Sequence, residues 1–198
     1  ARRFLEAAKS DGDPFYAAYV LILVLGLRKG EVLGLGWDEV GLDASKLFIA
    51  WQLQRVGRRL LRREVKTEAS EAGLPLPDLC AAVLKLRKGT QDADRQAAGP
   101  VWQDTHRLVF TTRYGTPIEP RNFNRSWDRR CAKAGVRKIT VHDARRTCAT
   151  LLVDLDVHPR VIMAILRHAQ ISVTMKIYAQ VTSRKTIDAL RRLGDSLG

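Results

Sequence analysis

The stretch Pro14–Gly30, PFYAAYVLILVLGLRKG, decides how the rest of the chain must be arranged. From Phe15 to Leu27 it is strongly apolar, so a helix here needs burial on most of its faces, and Pro14 suits its first turn. The apolar run from Ala17 to Leu27 is too short to span a bilayer. It ends in Gly26-Leu27-Arg28-Lys29-Gly30, where two glycines bracket two cations at or just past the helix end, before a second short helix from Glu31 to Leu35.

Upstream, Arg2 to Lys9 reads as a short helix, followed by the breaker Ser10-Asp11-Gly12-Asp13-Pro14. Downstream, Ser45–Gln54 and Arg59–Lys66 read as strands joined at Val56-Gly57-Arg58, with Leu74-Pro75-Leu76-Pro77 as a third, edge strand. Leu79–Arg87 returns to helix, and the polar stretch Gly89–Arg107, with Gly99-Pro100 inside it, reads as a long surface loop. After Leu108–Thr112 and the turn Tyr114-Gly115-Thr116-Pro117 the pattern is helical. Pro120 opens a helix ending near Gly135, Val141–Val153 forms the next, Pro159–Leu166 another, and Ser172 caps the last. The expected fold is α+β and mainly helical, one domain over residues 1–198, with a small three-stranded antiparallel sheet near its first third. A chain of this length hides about 70% of its surface on folding, enough for one sizeable core.

Lysine and arginine number 34 against 21 acids, a formal net charge of +13. Segment 55–66 contributes +5 and segment 121–146 contributes +7, so nearly all of the excess lies in two separated blocks. That distribution favours a nucleic-acid face over a uniformly solvated basic surface. Arg55, Arg58, Arg59, Arg62 and Arg63 surround the hairpin turn, while Arg121, Arg125 and Arg129 recur at four-residue spacing on one helical face, suited to successive phosphates. Trp37, Trp51, Trp102 and Trp127 are not interleaved with them and read as core or loop anchors. Cys80, Cys131 and Cys148 are too far apart for a disulfide framework or a spaced metal site. The aspartate pairs 11/13, 38/43 and 154/156 have no evident third ligand, which argues against a metal-dependent nuclease, and no phosphate-cradling Gly-x-x-x-x-Gly-Lys loop occurs. No signal sequence precedes the first helical pattern, so the cell interior is the default address, and the missing initiator Met reads as a fragment of a longer protein.

Four residues stand out as carriers of chemistry. His142 and Arg145 are three apart in Thr140-Val141-His142-Asp143-Ala144-Arg145-Arg146, which puts an imidazole and a guanidinium on one helix face. Leu151, Leu152 and Leu155 continue the apolar contact of that helix. His168 follows Leu166-Arg167 at a helix end, and Tyr178 comes ten residues later between Met175, Ile177 and Ala179. Taken singly, the His-Arg pair fits chance surface placement and the tyrosine fits simple packing.

In order, these segments resemble the catalytic domain of the tyrosine recombinase (phage integrase) family. The resemblance runs from Gly26-Leu27-Arg28-Lys29-Gly30-Glu31 through Lys66-Thr67 and Leu74-Pro75-Leu76 to His142-Asp143-Ala144-Arg145, Leu166-Arg167-His168 and Tyr178. It implies that Arg28 and Arg145 clamp the phosphate oxygens, that His142 assists deprotonation of the tyrosine and that His168 donates a hydrogen bond to the phosphate. It further implies that Lys66 protonates the leaving 5′ oxygen and that Tyr178 is the nucleophile that forms a 3′-phosphotyrosine bond. Arg167 stands where the family usually has glycine, Arg146 where a histidine often follows, and Ala72 where many relatives carry arginine.

The resemblance further implies duplex DNA as partner and no cofactor or metal. It implies a missing amino-terminal core-binding domain, a homotetramer of full-length protein on DNA, a monomeric isolated fragment, and a prokaryotic, phage or plasmid source with a cytoplasmic, DNA-associated address and no membrane. The segment Ser183–Leu193 reads as an amphipathic helix that packs in cis or on a neighbouring subunit. Two other readings stay open. A type IB topoisomerase would relax supercoils without exchange, and a non-catalytic DNA-binding module would leave Tyr178 merely structural.

Overall fold

The computed structural model describes residues 1–65, 73–168 and 170–197. The apolar stretch forms α2 (Tyr16–Leu25), which is buried from Ala17 to Leu23 and again at Leu25. The helices α1 (Arg2–Ser10), α4 (Asp78–Ala98) and α6 (Val141–Asp154) pack around it. Below its start, Tyr19 meets Phe4 of α1 edge-on at 5.1 Å and Trp127 of α5 (Pro120–Lys133) at 5.3 Å between ring centroids. These are edge-to-face geometries that add to the burial of the rings. Arg130, also on α5, turns inward to ion-pair with Asp13 at 2.6 Å and with Asp11, so the first acid pair anchors α5 to the breaker after α1.

α2 stops at Gly26, whose φ of +61° is the left-handed conformation that glycine adopts without strain. The short α3 (Lys29–Gly34) follows and lies against the hairpin. A Cβ on Gly34 would fall 2.7 Å from the backbone of Gln52 and Leu53, so only glycine permits that approach.

The three-stranded antiparallel sheet is present, but with different members from those expected. β1 (Val40–Gly41), β2 (Lys46–Leu47) and β5 (Leu74–Pro75) form it in the order β1-β2-β5. The hairpin β3 (Trp51–Val56) and β4 (Arg59–Glu64) is a separate two-stranded ribbon turning at Gly57-Arg58. The run 45–54 is divided between two sheets: Lys46–Leu47 pairs with β1 and β5, whereas the residues from Trp51 on pair only with β4.

The stretch after Leu79 is also corrected: α4 runs unbroken to Ala98, through much of the expected loop. Gly89 is exposed and costs the helix only its propensity, while Arg87 and Gln91 bury their polar ends. Arg87 donates to the Val109 carbonyl at 3.0 Å, and Gln91 to the Leu108 carbonyl at 2.9 Å. The helix ends where Gly99, at φ +52°, precedes Pro100.

The last helices α6, α7 (Pro159–Leu166) and α8 (Ile171–Leu197) enclose a second apolar cluster: Cys148, Ala149 and Val153, Ile162 and Leu166, Ile177 and Val181. Ser172 lies inside α8 rather than capping it. Leu151 and Leu155 are exposed, so the inward face of α6 is carried by Ala144, Cys148, Ala149 and Val153 instead. Among the described residues no helix is long and apolar enough to cross a membrane.

Candidate active site

The cations announced by the central helix lie where the two apolar clusters meet. Arg28 is the cap residue of α3, and its backbone N–H donates to Glu31 Oε2 at 2.7 Å while its Nη1 donates to Oε1 at 2.6 Å. The Glu31 side chain is only 1% exposed. Burial pushes its carboxyl up, but Arg167, the Arg28 N–H and the Arg28 guanidinium outweigh that and hold it below the usual carboxylate range.

Arg145 reaches the same place from α6, whose start is set by a reciprocal cap. Asp143 N–H donates to Thr140 Oγ1 and Thr140 N–H to Asp143 Oδ2, each at 3.1 Å, which puts His142 in the first turn and Arg145 one turn on. Buried at 4% exposure, Arg145 donates from Nη1 to the Gly26 carbonyl and from Nη2 to the Leu166 carbonyl, tying the end of α2 to the end of α7. Burial, then Arg28, lowers it to about 10, so it stays charged at neutral pH.

Arg167 ends α7 at φ +51°, the left-handed conformation in which glycine is at ease and the presence of a Cβ costs about 1–2 kcal/mol. What offsets the strain is an ion pair to Glu31 at 2.6 Å, with both side chains 3% exposed or less. Its carbonyl also accepts from Arg28 Nη2 at 3.4 Å. His168 comes next, half-buried, its Nδ1 2.9 Å from Thr174 Oγ1 on α8. Burial, followed by Arg145, Arg28 and Arg167, pushes this imidazole down to about 4, so it is neutral at pH 7.

Arg28, His142, Arg145 and His168 line one cavity of about 580 Å³, together with Arg146 and Lys176. Arg28, His142 and Arg145 also line an adjoining groove of about 820 Å³, which runs past Gln52 and Arg55 of the hairpin to Pro120 and Lys138. The arrangement can hold an anionic diester between guanidinium groups fixed by protein carbonyls and a carboxylate, beside two imidazoles. Among the described residues no cluster of three histidine, cysteine or carboxylate side chains is placed to hold a metal ion.

Tyr178 is on α8, one residue past the cavity-lining Ile177, but its half-buried ring packs on the C-terminal apolar cluster and does not line the cavity. Lys66 lies outside the described residues. Of the expected DNA contacts, Arg58, Arg59, Arg63 and Arg121 are exposed, and Arg125 and Arg129 line a shallow groove with Asn122, Ser126 and Asp128. Arg55 forks onto Glu119 with Nε at 2.8 and 3.0 Å from its oxygens. Arg62 is turned inward, donating to the Gly34 carbonyl at 2.9 Å and to Glu39, and its guanidinium lies 4.6 Å from the Trp51 ring centre.

Sequence reasoning missed two participants. The Arg167–Glu31 pair has no sequence signal, since its members are far apart in the chain. Thr174, fully buried beside His168, lies one helical turn before Tyr178, a spacing that could have drawn attention.

The family model described as phage integrase matches residues 1–185. A tyrosine recombinase XerC-like protein of Caldanaerobacter subterraneus subsp. tengcongensis is 29% identical over 98% of this chain and 52% of its own length. An integrase of Streptomyces ambofaciens is 31% identical, covering 90% of this chain and 47% of its own. The chain thus spans about half the length of these curated relatives. Among solved structures, the Tn1549 transposon integrase in complex with circular intermediate DNA superposes with a TM-score of 0.75 at 23% identity, over 96% of this chain and 64% of that one. The XerA recombinase does so at 0.68 and 23%, over 89% and 55%. These likenesses establish the fold as that of a tyrosine-recombinase catalytic domain.

Proposed function

Because the chain belongs to the phage integrase family, we propose that residues 1–198 act as the catalytic domain of a site-specific DNA recombinase that cuts and rejoins duplex DNA through a 3′-phosphotyrosine bond on Tyr178. The observation that carries this reading is the convergence of Arg28, His142, Arg145 and His168, from three separate segments, on one cavity. The phenol oxygen of Tyr178 attacks the phosphorus, the bond to the 5′ oxygen breaks, and the product is a phosphodiester of tyrosine plus a free 5′ hydroxyl. One diester replaces another, so no nucleotide hydrolysis is needed. The tyrosine proton passes to His142, the leaving oxygen takes its proton from Lys66, and the guanidinium groups of Arg28 and Arg145 meet the charge that grows on the non-bridging oxygens. For attack, the Tyr178 ring must leave its packing on the C-terminal cluster and turn to the cavity beside Ile177. The exposed arginines of the hairpin and of α5 track the flanking phosphates.

Full-length protein would assemble as a homotetramer on DNA, with Ile187, Leu190 and Leu193, exposed on the far end of α8, supplying an apolar stripe for docking. A cytoplasmic, DNA-associated protein of a prokaryote or its mobile elements follows from the same reading. A nicked suicide substrate tests the chemistry. Wild type should give a denaturation-resistant adduct mapping to Tyr178, and Y178F should bind without forming one. Mapping to Tyr16, Tyr19 or Tyr114 would sink the assignment. For Lys66, K66A should cleave an ordinary diester poorly and recover on a 5′-bridging phosphorothiolate, whose sulfur leaves without protonation.

A further inference from the structure

We propose that Thr174 is a positioning residue that locks His168 in the tautomer carrying its hydrogen on Nε2. The inference rests on the reading of His168 as a hydrogen-bond donor to the phosphate, and deepens it.

Thr174 is completely buried on α8, and its Oγ1 sits 2.9 Å from His168 Nδ1. A buried hydroxyl needs an acceptor for its proton. Thr90, Thr147 and Thr186 each donate to the carbonyl four residues back, the usual outlet for a threonine in a helix. Among the described residues Thr174 has no such carbonyl partner, and His168 Nδ1 is the acceptor within reach. A hydroxyl that donates to Nδ1 needs a lone pair there, so the neutral ring must hold its single hydrogen on Nε2. The opposite tautomer would point an N–H at the hydroxyl oxygen and leave the hydroxyl proton buried with nowhere to go.

The consequence reaches the site. Burial and the surrounding arginines keep the ring neutral at pH 7, so it has one N–H to offer rather than two. With Nδ1 occupied by Thr174, that N–H belongs to the nitrogen left for a ligand in the cavity that His168 lines with Arg28 and Arg145. The same bond pins α8 to the segment after α7 one turn before Tyr178, so the donor and the proposed nucleophile are set by one contact.

The direct test is a long-range nitrogen–proton correlation spectrum of the chain with 15N-labelled histidine at pH 7 without DNA, His168 being assigned with H168Q. Wild type should show Nδ1 unprotonated and Nε2 protonated. T174V should shift the ring toward the Nδ1-protonated form or an averaged mixture, and T174S should restore the wild-type pattern. On nicked DNA, T174V should lower the maximal cleavage rate about tenfold, short of the 10²–10³-fold loss typical of deleting a whole donor, with DNA affinity unchanged and T174S rescuing the rate. A wild-type ring protonated at Nδ1, or a T174V ring with the wild-type tautomer, overturns the role. Should T174V fail to fold, the wild-type and T174S spectra still decide. The two readings fail separately because the tautomer is read without DNA. An Nε2-protonated ring in a chain that never forms a DNA adduct upholds the lock and removes only the recombinase reading.

Discussion

Arg28, Arg145 and Arg167 differ from Arg121, Arg125 and Arg129 in almost everything except charge. The first three are tied to Glu31 or to the carbonyls of Gly26 and Leu166, and two of them are buried. The second three stand on one exposed face of α5, and the bonds of Arg125 and Arg129 go to Asn122 and Ser126 one turn away. A buried guanidinium needs partners in the folded state, so it is held in one place before any ligand arrives. An exposed one is free to follow a backbone and is screened by salt. The same residue type thus occurs here in two settings, guanidinium groups held in place by protein partners and guanidinium groups open to solvent.

The largest expected effect breaks the buried group. E31A leaves Arg167 buried without its counter-charge and should cost about 3–5 kcal/mol of stability in urea unfolding, while the double variant E31A/R167G should recover part of the loss. Equal destabilisation of single and double variants would show that the two side chains are not coupled.

Next, R145A should cut the cleavage rate at saturating DNA by 10²–10³-fold, or about 2.7–4 kcal/mol, because both the proposed phosphate clamp and the tie between Gly26 and Leu166 are lost. A rate within twofold of wild type would move Arg145 out of the chemistry.

Acid should then weaken the buried site. His168 has a folded pKa of about 4 against an ordinary 6.5, so between those values the unfolded chain binds the extra proton. Stability is therefore highest above pH 6.5 and declines as pH falls toward 4, and the lowered Glu31 carboxyl extends the loss at still lower pH. H168Q should flatten the upper part of that decline in thermal unfolding; an unchanged slope would assign it to other groups.

The smallest effect belongs to the exposed set. R125A should raise the dissociation constant a few-fold and reduce the salt slope by about one, with the saturated cleavage rate unaltered. A rate defect that persists at saturation would erase the distinction between the two groups of arginines.

Several of these residues could be read before any coordinates. The apolar stretch from Phe15 demanded a central helix, which the sequence reading carried to Leu27 and the structure ends at Leu25, because burial follows from local composition; the order of segments along the whole chain, from Arg28 through His142, Arg145 and His168 to Tyr178, carried the family resemblance. Helices that open on proline, at Pro120 and Pro159, were legible for the same reason: the ring sets φ and lacks an N–H that the first turn does not need. The extent of α4 was not, since the helix is held past Gly89 by Arg87 and Gln91 bonding carbonyls some twenty residues ahead.

Local sequence determined which residue types were available for phosphate chemistry and on which helix ends they stand. Only tertiary structure decided that Arg62 serves Gly34 and Glu39 inside the protein while Arg63 beside it faces water, because successive strand residues point to opposite faces and packing alone chooses which face is covered. It also decided that an arginine could take the left-handed position before His168. Spacing cannot disclose that pairing, because the carboxylate that offsets the strain, Glu31, is 136 residues away and meets Arg167 only when α3 and the end of α7 close on each other.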